Sequence, residues 1–521
     1  PVGSKLGNML AAPCTAAAAA DSPWRAGQGP GRPHTGVGMV NKAGDGGCDT
    51  LDSPLLSSAE DASCARVRQL AAWRVLTALC GVAFTSNVII SLIAPILPPH
   101  FEMLGISQIW CGVMFSCFPT AMLLASPLAI RAMARYGRPP VLFAGLVLQG
   151  VTSISFGYAD ELTGGSGAHV EAALAVYTLS RLLCGAGGAC ANNAIFSMAA
   201  DRFPDTLGKV MGLNEVVIGA GFSLGPPIGT ALLLKYGFNI VFLTSGLAIL
   251  IFAPFTLTLW QPRRPGDRSS AANELELARG GLTEVLTPGL LCGGLCLLLG
   301  TGVFGVVEPI LGLYLRDEVG VGPAASGGIF AVFAFAYSLA GPLAGAMADR
   351  LGALRVCAAG SLAAGAIMAA LLGPTASFLQ KGSTARISYE IVVLVILGIA
   401  QAATLIPSLP AMKDSVTLKS ESATERVVAW FNMFMQLGLV IGPLLGCALR
   451  DAFGFEVACA AFGVLVALYG AAALAFACRG RAPHSAELHT PTHLVTGVMF
   501  SPKSPHQRQV SPEKVLSQLS V

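Results

Sequence analysis

The sequence predicts an all-α membrane protein whose twelve transmembrane helices form two pseudo-symmetric halves of six. The first observation is composition: 54% of the 521 residues are hydrophobic and only 12% are charged, whereas a soluble domain carries about 25% charged residues. The second is that the apolar residues fall into twelve segments of the length that crosses a bilayer, about 20 residues. The third is the distribution of lysine and arginine among the connectors, which gives the topology.

The twelve apolar segments are separated by short polar connectors. We place them near residues 74–98, 109–132, 139–159, 172–200, 207–234, 239–260, 288–315, 323–348, 353–373, 388–412, 427–449 and 454–478. The longest polar interruption follows the sixth segment, which is typical of two linked six-helix halves. The predicted halves are therefore residues 71–260 and 288–479, joined by a central loop at 261–287. Residues 1–70 and 480–521 lack an apolar period and are predicted to be disordered tails.

The basic residues predict which side of the membrane each connector faces. Nineteen lie on one side of the twelve segments and five on the other, and they alternate through every connector. Because cytosolic connectors carry the excess of Lys and Arg, we expect both tails and the central loop in the cytosol. Vesicular, vacuolar and plasma membranes all remain open.

Composition and motifs exclude several classes of protein. A net charge of +3 with scattered basic residues is not the footprint of a nucleic-acid-binding protein. A membrane enzyme would need catalytic groups at membrane depth, but all seven histidines lie outside the predicted helices. The chain also has no HExxH or P-loop motif. We predict neither a metal site nor a cofactor, and we expect a monomer that binds a small-molecule substrate, protons and the lipid bilayer.

A glycine-bounded motif ends the eighth segment, at residues 345–352. Its defining positions are Gly345, Asp349, Arg350 and Gly352. The acidic and basic residues at the rim can pair between helices in one conformation and part in another, although a solvated helix end is the simpler interpretation. The spacing resembles the signature loop of the major facilitator superfamily. The superfamily repeats this loop after its second helix, and here that copy is degraded to Ile130 and Ala134 where Gly and Asp are expected.

A second motif combines glycines four residues apart with a proline in the fifth segment. It consists of Gly221, Gly225, Pro226 and Gly229, and residues 438–446 repeat the pattern in the eleventh segment. Small residues at this spacing let helix backbones approach closely, and their recurrence at corresponding positions indicates an internal repeat. The motif resembles that of the drug:proton antiporters of the same superfamily, and a tightly packed, kinked helix is compatible with that role.

Three charged residues are assigned to the interior of the membrane: Arg181, Glu215 and Glu308. A charge in lipid costs at least about 2.5 kcal/mol, so each is expected to face a water-filled cavity or a partner. Arg181 begins an RxxxG stretch that resembles the fourth-helix motif of proton-coupled members of the superfamily; bonding to helix carbonyls is the alternative. Glu308 precedes Pro309, and a carboxylate that binds either a cation or a proton is sufficient for exchange. A rim ion pair with Arg316 is the alternative for Glu308.

The chain around these residues resembles the vesicular amine transporters. The shared stretches are residues 94–98 (APILP), 203–204 (FP), 209–215 (KVMGLNE) and 304–311 (FGVVEPIL). The resemblance covers about residues 74–478 and is strongest for the vesicular polyamine transporter branch, which carries a Glu at the position of Glu215. The acidic and basic residues of the monoamine and acetylcholine carriers are replaced at Ser86, Phe118, Ala402 and Asn432. The resemblance therefore argues against those substrates.

The resemblance implies a secondary transporter that exchanges an organic cation, polyamine-like or amine-like, for protons by alternating access. Arg181, Glu215 and Glu308 are the candidate coupling and substrate groups. Four neutral residues are candidate hydrogen-bonding groups of the cavity wall: Asn87, Asn214, Asn432 and Gln436. Because two acids and one arginine attract a polycation weakly, a uniporter or exporter of a neutral or anionic molecule is an alternative. A non-transporting receptor or scaffold on the same fold is another.

Overall fold

The computed structural model describes residues 54–164, 169–203, 207–259, 285–372, 379–416 and 421–479. The chain divides into two units, residues 1–63 and 64–521. Twelve helices of the second unit are long and apolar enough to cross a membrane within the described ranges, which confirms the predicted fold class. Their bounds are α1 Pro54–Leu92, α2 Ile109–Tyr136, α3 Arg138–Gly157, α4 Val170–Arg202, α5 Leu207–Tyr236, α6 Phe238–Leu257, α7 Pro288–Tyr314, α8 Pro323–Leu351, α9 Ala353–Ala370, α10 Thr384–Leu405, α11 Glu421–Phe453 and α12 Phe455–Arg479.

The first helix begins earlier than the hydropathy indicates. Residues 54–70, assigned from the sequence to a disordered tail, are helical. Pro54 is favourable at a helix start, and the Leu, Ala and Arg residues that follow are good helix formers. Residues 1–53, residues 480–521 and most of the central loop lie outside the described residues.

Short helical segments extend some spans beyond their predicted ends. Leu97–Met103 continues the first span, a π-helical turn Leu315–Val319 continues the seventh and Ser408–Asp414 continues the tenth, while Ala159–Leu162 follows α3. The first extension moves His100 into a span, so the expectation that every histidine lies outside the helices is wrong. The hydropathy predicts a helix end at Pro98, but this proline lies in the first turn of the new helix, where its missing N–H is tolerated.

The two halves repeat the same backbone turns. Gly137 and Gly352 have φ of 94° and 95° and separate α2 from α3 and α8 from α9. Gly237 and Gly454, with φ of 88° and 85°, separate α5 from α6 and α11 from α12. Other residues adopt this backbone conformation only with strain.

In both halves, glycines at the same sequence separation from these turns bring the backbones of two helices into contact. A Cβ on Gly150 would lie 2.9 Å from the carbonyl oxygen of Gly246, between α3 and α6. In the second half, a Cβ on Gly365 would lie 2.6 Å from the carbonyl oxygen of Gly463, between α9 and α12. The equal spacing supports the predicted internal repeat.

The halves meet through α5 against α8 and α2 against α11. We call the membrane face where α1 begins and α12 ends the proximal face, and the other the distal face. A Cβ on Gly112 would lie 2.7 Å from the carbonyl oxygen of Pro443, and a Cβ on Gly327 3.0 Å from that of Pro226. Ser116 donates to the carbonyl oxygen of Val440 at 2.7 Å. These contacts lie between the distal face and the middle of the helices, so the halves are closed on the distal side.

Candidate functional site

Arg181 lies on α4 with its side chain buried against α2 and α3. Its Nε donates to the carbonyl oxygen of Met114 at 3.3 Å. Its guanidinium carbon lies 5.4 Å from the ring centroid of Phe118 and 5.9 Å from that of Phe156, within the range of cation–π attraction. The predicted alternative, bonding to a helix carbonyl, is therefore observed, and aromatic rings complete the environment.

Glu308 lies on α7, in the opposite half of the protein. It is half-buried, and its carboxylate interacts electrostatically with Arg181. Among the described residues, Arg181 and Glu308 do not form an ion pair. Arg316 instead pairs with Glu102 and Asp317, so the alternative of a rim pair with Glu308 is not observed. One predicted charge from each half thus interacts electrostatically with the other.

Glu215 lies on α5, where α5 packs on α8. Its side chain is exposed to solvent, and many protein atoms also lie around its carboxyl group. We expect this combination for a residue on the wall of a cleft. Its charge interacts with Tyr337 of α8, and one turn further on a Cβ on Gly219 would lie 2.2 Å from the Ser338 hydroxyl oxygen. Glu215 therefore borders the interface between the halves, apart from the Arg181–Glu308 pair.

The four neutral candidates have different environments. The Nδ2 of Asn87 donates to the carbonyl oxygen of Ala83 at 2.7 Å, so this side-chain nitrogen is hydrogen-bonded within its own helix. Asn214 is buried, and its Oδ1 has no partner among the described residues. Asn432 is exposed on α11. Gln436 is buried, with its Nε2 3.6 Å from the Met122 sulfur of the other half.

The glycine motif of α5 packs against α1. A Cβ on Gly221, Gly225 or Gly229 would lie 3.0 Å or less from atoms of α1. In α11, a Cβ on Gly438 would lie 2.3 Å from the carbonyl oxygen of Leu298 in α7. The helix continues through Pro226 in α5. These glycines pack α5 and α11 against the helices that begin each half.

The rim motif of α8 is exposed. Asp349 and Arg350 have exposed side chains, and neither takes part in an ion pair within the described ranges. A Cβ on Gly345 or Gly352 would have nothing within 4 Å. The solvated helix end, the simpler of the two interpretations, therefore describes this conformation, in which the closed contacts lie on the distal side.

A fourth charge at membrane depth is not apparent from the sequence. Glu390 of α10 is completely buried, and its Oε1 accepts a hydrogen bond from the Tyr314 hydroxyl at 2.6 Å. Arg386, counted from the sequence as a connector residue, is buried in the first turn of α10 and interacts electrostatically with Glu390. A single acid near the start of an apolar run gives little signal, although it lies within the predicted tenth helix.

His100 is a second polar residue whose place the sequence does not indicate. Its Nε2 lies 3.0 Å from Oδ2 of Asp160 and 3.1 Å from the Tyr177 hydroxyl. Burial raises the pKa of the Asp160 carboxyl group, but the hydrogen bonds from His100 and Tyr177 outweigh it and hold that pKa below its usual range. This group lies towards the distal face, and Phe156 contacts both its Tyr177 and Arg181.

Known proteins match this chain over most of its length. The sequence model of the Major Facilitator Superfamily matches twice, over residues 79–313 and 290–516. The MFS-type transporter SLC18B1 of Mus musculus is 28% identical over 391 residues, which cover 73% of this chain and 81% of the relative. The protein of the same name from Homo sapiens is 27% identical over 410 residues, covering 76% and 85%.

A bacterial relative is similar to the same extent. The multidrug resistance protein MdtG of Citrobacter koseri is 27% identical over 405 residues, which cover 75% of this chain and 92% of the relative. Together with the twelve membrane helices, these matches confirm the resemblance drawn from the motifs. The chain is a multi-pass membrane transporter rather than an enzyme, and it belongs to the Major Facilitator Superfamily.

Proposed function

We propose that this secondary transporter exchanges an organic cation for protons, with Glu308 as the carboxylate at which the two compete. Arg181 adjusts the charge state of Glu308, and Glu215 supplies a second acidic group on the cleft wall. Asn87, Asn214, Asn432 and Gln436 offer neutral hydrogen-bonding groups along the path between the halves.

The observation that carries the proposal is that Arg181 and Glu308, which belong to opposite halves, interact electrostatically. The charge state of a carboxyl group depends on how close a guanidinium lies. Arg181 is held by Met114 and two aromatic rings of its own half. Rocking of the halves therefore changes its distance from Glu308, and proton binding is coupled to conformation.

The interaction of Glu215 with Tyr337 supports the same mechanism at a second place. It too joins residues of opposite halves, and it lies where α5 and α8 contact each other through Gly219 and Ser338. Opening of the distal side changes this contact together with that of Arg181 and Glu308. Two acids, one in each half, then present negative charge to a cation in transit.

Orientation and assembly complete the proposal. The excess of basic residues at the proximal connectors favours a cytosolic proximal face. Because the Arg181–Glu308 contact lies between the two halves of one chain, a single copy contains the whole path. A compartment with an acidic lumen supplies the proton gradient that drives the cation out of the cytosol.

The decisive experiment measures uptake of radiolabelled spermine and tetraphenylphosphonium into proteoliposomes under an imposed pH gradient. We expect uptake by the wild type to require the gradient. Glu308→Gln should lose gradient-driven uptake at least tenfold, and its exchange of labelled for unlabelled substrate should fall as well, because the cation has lost the carboxylate at which it binds. Glu171→Gln is the matched control, because Glu171 is exposed in the first turn of α4 and should transport as the wild type does.

Several outcomes would overturn the proposal. Unchanged pH-driven uptake by Glu308→Gln would remove this carboxylate from the mechanism. Uptake that is selective for anions or indifferent to the gradient would favour the uniporter or exporter of a neutral or anionic molecule. Substrate binding without any exchange would identify a receptor on the transporter fold.

A further inference from the structure

The cluster of His100, Asp160 and Tyr177 is compact and fully connected. The Tyr177 hydroxyl donates to Oδ2 of Asp160 at 3.0 Å, and the same oxygen lies 3.0 Å from Nε2 of His100. The imidazole ring stacks on Phe238 with centroids 3.7 Å apart and planes 8° from parallel. The side chains of His100 and Asp160 are 15% and 20% exposed, so water reaches the group.

The second half contains a similar cluster. The ring of Tyr314 stacks on Phe455 with centroids 3.8 Å apart and planes 11° from parallel. Its hydroxyl donates to Oε1 of Glu390 at 2.6 Å. In each half, an aromatic ring near the end of the first membrane span stacks on the first residue of the last helix and is hydrogen-bonded to a carboxyl group.

The registers of the two clusters correspond. Residues 94–97 are APIL and residues 308–311 are EPIL. His100 lies five residues after the proline of the first stretch, and Tyr314 lies five residues after the proline of the second. Phe238 and Phe455 each follow the glycine turn before the last helix of their half. Tyr177 lies eight residues before Gly185, and Glu390 lies eight residues before Gly398. Each of these glycines packs on a neighbouring helix. The two clusters therefore occupy equivalent positions of the repeat.

The repeated clusters differ in one chemical property. Histidine has an ordinary pKa of about 6.5, whereas tyrosine has one of about 10, so only an imidazole changes charge between about pH 5 and 8. Protonation turns the contact of His100 with Asp160 into a charge-assisted hydrogen bond, which is roughly twice as strong as a neutral one. It also places a cation against the face of Phe238, which is favourable.

The helix that carries His100 also contacts the other half. Glu102, two residues later, pairs with Arg316 beside α7, and a Cβ on Gly312 would lie 3.6 Å from the carbonyl oxygen of Ala94. The position of the segment Leu97–Met103 is thus set on one side by the His100 cluster and on the other by contacts that close the distal face.

We infer that His100, Asp160 and Tyr177 form a proton-binding site at the distal face, and that a proton held there stabilises the conformation in which this face is closed. The ring of Phe156 contacts both Tyr177 and Arg181, but this site does not depend on the proposed exchange mechanism. The other titratable or charged groups around it are Arg181, which shares Phe156 with Tyr177; Glu102, which pairs with Arg316; Glu161, which accepts from Asn239 of α6; His169, which borders the same small cavity as Asp160; and Cys111 at the start of α2.

Two native thiols report opening of the distal face. Cys111 and Cys447 are 0% and 1% exposed and lie in the contact between α2 and α11. In purified protein in nanodiscs, labelling by N-ethylmaleimide followed by peptide mass spectrometry gives the rate at which they become accessible. Because thiols react faster as pH rises, wild type and variants are compared at the same pH, first 5.5 and then 7.5.

His100→Gln keeps an amide donor for Asp160 but cannot carry the proton. At pH 5.5 we expect its thiols to be labelled about tenfold faster than those of the wild type, the change that about 1.4 kcal/mol produces. At pH 7.5 the two should agree within about twofold. Asp160→Asn should behave as His100→Gln does, which provides a second variant if the first folds poorly. His169→Gln is the matched control and should follow the wild type at both pH values.

Equal labelling of the wild type and of both His100→Gln and Asp160→Asn at pH 5.5 would overturn the inference. So would a loss of the acid protection in His169→Gln, because the proton would then belong to that histidine. Glu308→Gln should keep the acid protection, even though it loses gradient-driven uptake. Failure of the exchange mechanism is therefore distinguishable from failure of this site.

Discussion

Tyr314→Phe tests how strongly the fully buried cluster of the second half stabilises the fold. The substitution removes only the hydroxyl, so the stack on Phe455 stays. Glu390, completely buried, loses the donor to Oε1, and its Oε2 already has no partner among the described residues. A hydrogen bond to an ionised group contributes about 1.5–3 kcal/mol, and an unpaired buried acceptor costs about 1–3 kcal/mol. We expect a loss of about 2–3 kcal/mol.

Tyr177→Phe is the matched variant in the first cluster, because it removes the tyrosine hydroxyl that donates to the carboxyl group there. It also removes one hydroxyl from a fully buried ring, but Asp160 is 20% exposed and keeps its contact with His100. Water and the imidazole compensate, so we expect a loss of about 0.5–1.5 kcal/mol, the usual net worth of one hydrogen bond.

Reversible unfolding in mixed micelles, followed by circular dichroism, measures both losses. We expect Tyr314→Phe to be less stable than Tyr177→Phe by about 1–2 kcal/mol. Equal losses, or a larger loss for Tyr177→Phe, would refute the assignment of the larger energetic role to the buried carboxyl group of Glu390.

Three further predictions concern packing, acid stability and closure. Gly365→Ala should cost about 1–3 kcal/mol, because its Cβ would lie 2.3 Å from the backbone nitrogen of Ala467, whereas Gly328→Ala, with nothing within 4 Å, should leave the thermal midpoint unchanged. The pKa of Asp160 is lowered in the folded protein, so its contribution is complete above the ordinary value of about 3.9 and is lost as the pH falls through the native value. Thermal midpoints of wild type and Asp160→Asn should therefore differ at pH 6 and converge on acidification; a constant difference would contradict this. Arg316→Gln breaks a half-exposed pair worth about 0–1 kcal/mol, so labelling of Cys111 should quicken by no more than about fivefold.

The helices could be predicted because their signal is local. Each span is a continuous apolar segment, and the connectors carry the charges, so the twelve helices of the described chain agree with hydropathy. The extension Leu97–Met103 could not be predicted in this way, because the prolines that mark a helix end also favour the first turn of a new one.

The site could be predicted only as a set of residue types. Arg181, Glu215 and Glu308 are conspicuous because charges are costly at membrane depth. That Arg181 faces Glu308 rather than Glu215 depends on how the halves pack, and no local pattern contains this information. Similarly, the contact of His100 with Asp160 joins residues sixty positions apart, and neither belongs to a recognisable motif.

The glycine contacts between the halves have a mechanical consequence. Gly112 against Pro443 and Gly327 against Pro226 bring bare backbone against backbone. Few bulky side chains lie at these points, where the neighbours of the two glycines include Cys447 and Thr230, so the surfaces separate with little repacking of side chains. Most of the free energy difference between the closed and open distal face therefore resides in a small number of polar contacts beside them. In a protein built this way, the charges beside the glycine contacts set the direction of the equilibrium.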